Sequence, residues 1–133
     1  MYNLKNKQVS ILVVEDNPLD TFIVKTLLQP HFNLETVSDG YDALNIIEKI
    51  KFDIILMDIN LGEDTIDGIS LMKKIKKNDK HKAIKIFAVT AYSESADFFI
   101  EQGFDELLVK PVIKEEIFEF IKKNTSNTKI NYL

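Results

Sequence analysis

The sequence predicts an α/β fold: a five-stranded parallel sheet in the order 2-1-3-4-5, with helices on both faces. Three observations predict it. Short continuous apolar runs rich in Ile and Val alternate with segments of helical spacing, and five such β-α repeats follow one another. Continuous apolar runs suit strands covered on both faces, and alternating units of this kind build a parallel sheet. No stretch between the repeats is rich enough in Gly, Pro or Ser to be a linker.

Each element follows in order. Val9–Val14 is the first strand. Asn17-Pro18 then offers an N-cap with proline in the first turn, and Leu19, Ile23 and Leu27 make a helical stripe. Asn33–Ser38 alternates as a half-covered edge strand does, and Ala43, Ile47 and Ile50 mark the second helix. Asp53–Met57 is the third strand, Ile69–Lys77 a helix, and Ile84–Val89 the fourth strand. Ser93 is placed to cap a fourth helix that ends before Gly103. Leu107–Val109 is a weaker fifth strand, and Ile113, Ile117, Phe120 and Ile121 line the last helix. The polar tail 124–133 carries little that packs and leaves no room for an output domain, so residues 1–133 read as one domain.

Composition removes several classes of function. The chain has 133 residues, 45% hydrophobic and 29% charged, the balance of a globular domain with its own core. A net charge of −4 gives no global attraction to nucleic acid or to an anionic membrane. The lysines are interleaved with acids, as solvated helix faces are. Without cysteine there is neither a disulfide framework nor a thiolate metal site. His31 and His81 are far apart and are both expected in solvent. No signal peptide and no membrane-spanning run is present, which points to a cytoplasmic location.

The chemistry collects at the strand ends. In open α/β sheets ligands bind beyond the carboxyl ends of the strands, near the switch in strand order. Strand 1 ends in Glu15-Asp16, strand 3 in Asp58, strand 4 in Thr90 and strand 5 in Lys110-Pro111. An acid at one strand end ordinarily does no more than cap the next helix. That reading leaves unexplained why Asp58 and Lys110 share the same end. Two carboxylates ~4 Å apart repel by about 4 kcal/mol at an effective dielectric of ~20, against a domain stability of about 5–15 kcal/mol. Lys110 offsets one charge; a hard divalent cation on oxygen ligands, Mg²⁺, would offset two more.

These motifs resemble the response regulator receiver family, a flavodoxin-like fold. ILVVEDNP, ILMDIN, VTA and LLVKP match it in order and spacing over about residues 8–123. The resemblance implies a two-component phosphorelay. Asp58 would accept a phosphoryl group from the phosphohistidine of a histidine kinase or a histidine phosphotransfer protein. Asp16, Glu15, Asp58 and the backbone carbonyl of Asn60 would hold Mg²⁺, while Thr90 and Lys110 would bind the phosphoryl oxygens. Ala91 is small, as phosphoryl access requires. It further implies a domain that promotes only its own phosphorylation and dephosphorylation. Its output would be a downstream protein or a homodimer on the face of helix 4, strand 5 and helix 5.

Three departures stand out. Asp58 and Gly68 lie ten residues apart, two more than in the family, and Gly62 stands where proline is usual. Leu107 replaces the aromatic residue that usually changes rotamer with the threonine, so that switch is absent or altered here. Tyr92 is positioned to cover the site and slow hydrolysis. Of Phe98 and Phe99, which cannot both face a core squarely, both are expected in the core margins, with a partner-binding anchor as the alternative.

The rival readings are a haloacid-dehalogenase-type phosphatase, a flavodoxin-like cofactor protein, an unphosphorylated docking module and a fragment of a hybrid kinase. Asn60 lacks the proton a phosphatase's general acid needs, and EDNPLD would repel a flavin phosphate.

Overall fold

The structure, a computed structural model, describes residues 9–60, 66–91 and 96–125. The elements run β1 Ser10–Val14, α1 Pro18–Leu28, β2 Asn33–Val37, α2 Gly40–Ile47, β3 Ile54–Asp58 and α3 Gly68–Lys77. After a 3-10 turn at Asp79–His81 come β4 Lys85–Thr90, α4 Ala96–Gln102, β5 Glu106–Val109 and α5 Lys114–Asn124. All strand pairs are parallel, in the order β2-β1-β3-β4-β5.

Residues alternate along each strand between two apolar layers. Leu12, Val14, Ile55, Met57, Ile86 and Ala88 face a cluster closed by α2, α3 and α4, with Ala43, Leu71, Ile75 and Phe99. Ile11, Val13, Ile54, Leu56, Phe87 and Val89 face the other, closed by Val24, Leu28, Ile117 and Ile121 of α1 and α5. The two-sided burial explains the unbroken apolar runs. β2, with one neighbour, is only half covered.

Local signals place the ends. Asn17 accepts from the N–H groups of Leu19 and Asp20 at 2.9 and 3.1 Å, with Pro18 opening α1. Gly103 adopts φ +124° directly after α4, a conformation open to glycine. Gly68 lies against β3: a Cβ there would stand 2.7 Å from the Asp58 carbonyl oxygen and 2.9 Å from the Ile59 Cα. That contact, with the Gly68 N–H on the Ile59 carbonyl at 3.3 Å, pins the start of α3 against the end of β3, which carries Asp58.

Several expectations need correction. Leu19 is 66% exposed; the buried face of α1 is Val24 and Leu28, with Leu27 packed beside them. Ile50 and Ile113 lie beyond their helices and are exposed. Phe98 is exposed while Phe99 is buried, because adjacent residues on a short helix point about 100° apart. His81 is buried, and its Nε2 lies 3.1 Å from Glu48 Oε1. His31 is half-buried and edge-on to Phe118, 5.1 Å between ring centroids. Ser93, Gly62 and the tail from 126 onward lie outside the described residues.

Candidate functional site

The strand register brings the site together. β3 pairs with both β1 and β4, so Asp58 lies between the ends of those two strands. The Glu15 N–H reaches the Val37 carbonyl at 3.0 Å, and the Lys110 N–H reaches the Thr90 carbonyl at 2.7 Å. Backbone hydrogen bonds thus carry the sheet one residue past β1 and β5 and fix both side chains at its rim. The Lys110–Pro111 peptide bond is cis.

One oxygen from each of Glu15, Asp16 and Asp58 lies within 4.8 Å of the others. Glu15 and Asp58 are buried, whereas Asp16 is exposed. Lys110 Nζ faces three carboxylates at once: Asp20 at 3.0 Å, Glu15 at 3.1 Å and Asp58 at 3.4 Å. The Asn60 N–H donates to Asp58 Oδ1 at 3.2 Å, and the Asn17 N–H to Glu15 Oε2 at 3.2 Å.

Charge balance is the dominant feature. Among the described residues, one ammonium stands among four carboxylates. Burial, followed by a hydrogen bond shared with Asp58, raises Glu15 from 4.5 to about 7; the Asn17 N–H and Lys110 oppose the rise. Burial by itself would lower Lys110, but Asp20, Asp58 and Glu15 together outweigh it and hold the ammonium above its usual range. A proton on Glu15 is the protein's own way of relieving the surplus. A divalent cation is another, and oxygen donors from two strand ends are the hard ligands that Mg²⁺ prefers.

In front of these groups is a cleft of about 410 Å³. Asp16, Asp20, Asp58, Thr90, Ala91 and Lys110 line it, with Phe99 of α4 on the wall. A hollow of about 520 Å³ also lies between α1 and the end of β2, but it meets neither Asp58, Thr90 nor Lys110. The reacting groups therefore face the smaller cleft.

The structure brings Glu15, Asp16, Asp58, Thr90 and Lys110 together at this end of the sheet, and Asn60 and Ala91 border the cleft. Leu107 does not; it is half-buried and packs against the apolar cluster under α4. Tyr92 lies outside the described residues. Two cleft residues, Asp20 and Phe99, carry no site role in the sequence reading: an acid in the first turn of a helix is ordinary, and Phe99 is read there as core margin or partner anchor.

The model of the response regulator receiver domain matches residues 11–122. The chain belongs to the receiver family. Relatives include a hybrid signal transduction histidine kinase I of Dictyostelium discoideum, 32% identical over 91% of this chain and 8% of that protein. Sensor protein GacS of Pseudomonas syringae is 26% identical over 92% of this chain and 14% of its own length. The chain therefore spans a small fraction of the curated relatives it matches. Among solved structures, the receiver domain of sensor histidine kinase PA1611 from Pseudomonas aeruginosa has a magnesium ion coordinated in its active site cleft. It is 28% identical with a TM-score of 0.78, covering 87% of this chain and 96% of that one. Chemotaxis response regulator CheY4 of Vibrio cholerae is 25% identical with a TM-score of 0.77, covering 88% and 98%. The receiver fold and a phosphorelay role follow from this membership, whether the domain stands alone or within a larger kinase. Among the described residues no helix is long and apolar enough to cross a membrane.

Proposed function

We propose that Asp58 is the phosphoacceptor, in a Mg²⁺-dependent reaction with a histidine kinase or histidine phosphotransfer protein as donor. The observation that carries this reading is the convergence of Glu15, Asp16 and Asp58 within 4.8 Å, with Lys110 Nζ 3.4 Å from Asp58. Glu15, Asp16, Asp58 and the Asn60 carbonyl would hold the ion, which when bound supplies positive charge to the phosphoryl oxygens.

The remaining work belongs to the chain. An Asp58 carboxylate oxygen forms a bond to phosphorus while the P–N bond of the phosphohistidine breaks, its electron pair returning to the imidazole. Such transfers need in-line placement and neutralised equatorial oxygens rather than covalent help. Lys110 neutralises one oxygen and keeps its protons, Thr90 donates a hydrogen bond to another, and the small Ala91 leaves the approach open. Later attack by water on the acyl phosphate resets the domain.

The domain acts as a signalling acceptor on the cytoplasmic side and turns over no other substrate. Its output uses the face of α4, β5 and α5, toward a downstream protein or a second copy. The exposed Phe98 (49%) lies on that helix, which supports its role as an anchor. With Leu107 where the family commonly has an aromatic residue, the switch runs through other contacts.

Incubation with acetyl phosphate and Mg²⁺, followed by intact-mass measurement, tests the reading. The parent chain gains one phosphoryl group only when metal is present, and Asp58→Asn gains none. Equal labelling of both proteins, or labelling in chelator, would refute it.

A further inference from the structure

We propose that Asp20 is a positioning residue for phosphoryl transfer: it tethers the Lys110 ammonium over Asp58 when a cation and a phosphoryl group engage the other carboxylates. This rests on Asp58 being the phosphoacceptor and goes beyond it.

Among the described residues Lys110 Nζ has three acidic partners, and they are not equivalent. Glu15 and Asp58 belong with Asp16 to the cluster able to hold a metal, whereas Asp20 stands outside it. An ion bound in that cluster draws on the same carboxylates that hold Lys110. The pair with Asp20, at 3.0 Å, does not compete with it. A lysine stem is long and flexible, so an ammonium without a fixed partner spreads over many rotamers. Asp20 prevents that spread without drawing the ammonium away, because Nζ touches Asp20 and Asp58 in the same conformation.

Asp20 is itself well anchored. Pro18 opens the helix, and the Asn17 side chain accepts from the Asp20 N–H at 3.1 Å, so the first turn presents the carboxylate to the cleft. Favour for an acid at a helix N-terminus explains a carboxylate in this turn. It does not explain an ion pair to a residue ninety positions later.

In the transfer from acetyl phosphate, an Asp58 oxygen bonds to phosphorus, the P–O bond to the acetyl group breaks, and acetate leaves with the electron pair. Lys110 keeps its protons and faces the equatorial oxygens throughout. The tether changes how often the ammonium is in place, not how the metal binds.

The test uses the whole chain carrying Asp20→Ala or Asp20→Asn, with phosphorylation by saturating acetyl phosphate followed by intact mass and Mg²⁺ affinity measured by titration. The limiting rate is expected to fall about tenfold in Asp20→Ala and about threefold in Asp20→Asn, which keeps an acceptor for the ammonium. Mg²⁺ affinity and the melting temperature stay close to the parent's. A rate in Asp20→Ala equal to or above the parent's overturns the proposal, as does a loss of Mg²⁺ affinity as large as the loss of rate. A parent chain that takes no phosphoryl group removes the phosphoacceptor reading, and the tether with it. A labelled parent with unaffected variants removes the tether alone.

Discussion

Two charged corners of this domain use the same kinds of side chain in opposite proportion. At the carboxyl end of the sheet, Lys110 faces Glu15, Asp20 and Asp58. At the other end, Glu48 after α2 faces two partners, Lys80 Nζ at 2.9 Å and His81 Nε2 at 3.1 Å. The consequences diverge. Lys80, then His81, pull the Glu48 carboxyl below its usual range, whereas burial and Asp58 push Glu15 up to about 7. One acid between an ammonium and an imidazole nitrogen is a satisfied clamp between α2 and the turn before β4. One cation among acids is an unfinished site whose surplus charge is met by a proton or a metal ion. The excess, rather than the number of ion pairs, distinguishes function from scaffolding.

The contrast can be broken most forcefully at Lys110. Replacing it by methionine leaves Glu15 and Asp58 buried together without their cation, and the loss in metal-free stability is expected to be about 3 kcal/mol, in the range for removing one partner of a buried pair. Asp58→Asn moves stability the other way, since it relieves repulsion. Urea unfolding with and without Mg²⁺ measures both, and the added ion should recover part of the Lys110→Met loss by linkage. Identical midpoints for parent and both variants in chelator would contradict the charge argument.

A smaller effect is expected on changing pH. Glu15 has a folded value of about 7 against 4.5 unfolded, so its contribution to stability is complete below about 4.5 and is lost as pH rises toward and through 7. Metal-free protein should therefore lose stability over that window, and Glu15→Gln should flatten the decline. A pH profile unchanged by Glu15→Gln would remove the shared-proton account.

The least effect is expected at the opposite corner. Glu48 is solvent-accessible, and exposed ion pairs contribute little. Its lowered value means that its contribution is present above the unfolded value and is lost as pH falls through the folded one. Glu48→Gln should lower the melting temperature slightly at neutral pH, less so in high salt, and leave phosphorylation by acetyl phosphate unchanged. A loss of phosphorylation there would erase the distinction between the two corners.

Much of this was legible before folding. Apolar runs marked the three central strands because both faces of the sheet are covered, and the Asn17-Pro18 start of α1 was visible because capping is local chemistry. Glu15, Asp16, Asp58, Thr90 and Lys110 could be collected because parallel topology brings strand ends together. Helix faces were less certain. Leu19, Ile23 and Leu27 share a spacing with Val24 and Leu28, and the pattern does not say which stripe meets the sheet.

By itself, then, the sequence determined the architecture and the cast of charged groups, since periodicity and strand-end position are properties of the chain alone. Which cation meets which acid was decided only in three dimensions. Asp20 and Lys110 are joined by a helix start and a strand end ninety residues apart, and His81 leaves solvent for Glu48 only because the turn before β4 packs against the end of α2. Pairings between distant side chains depend on distances of a few ångströms, and no periodicity in a sequence encodes those.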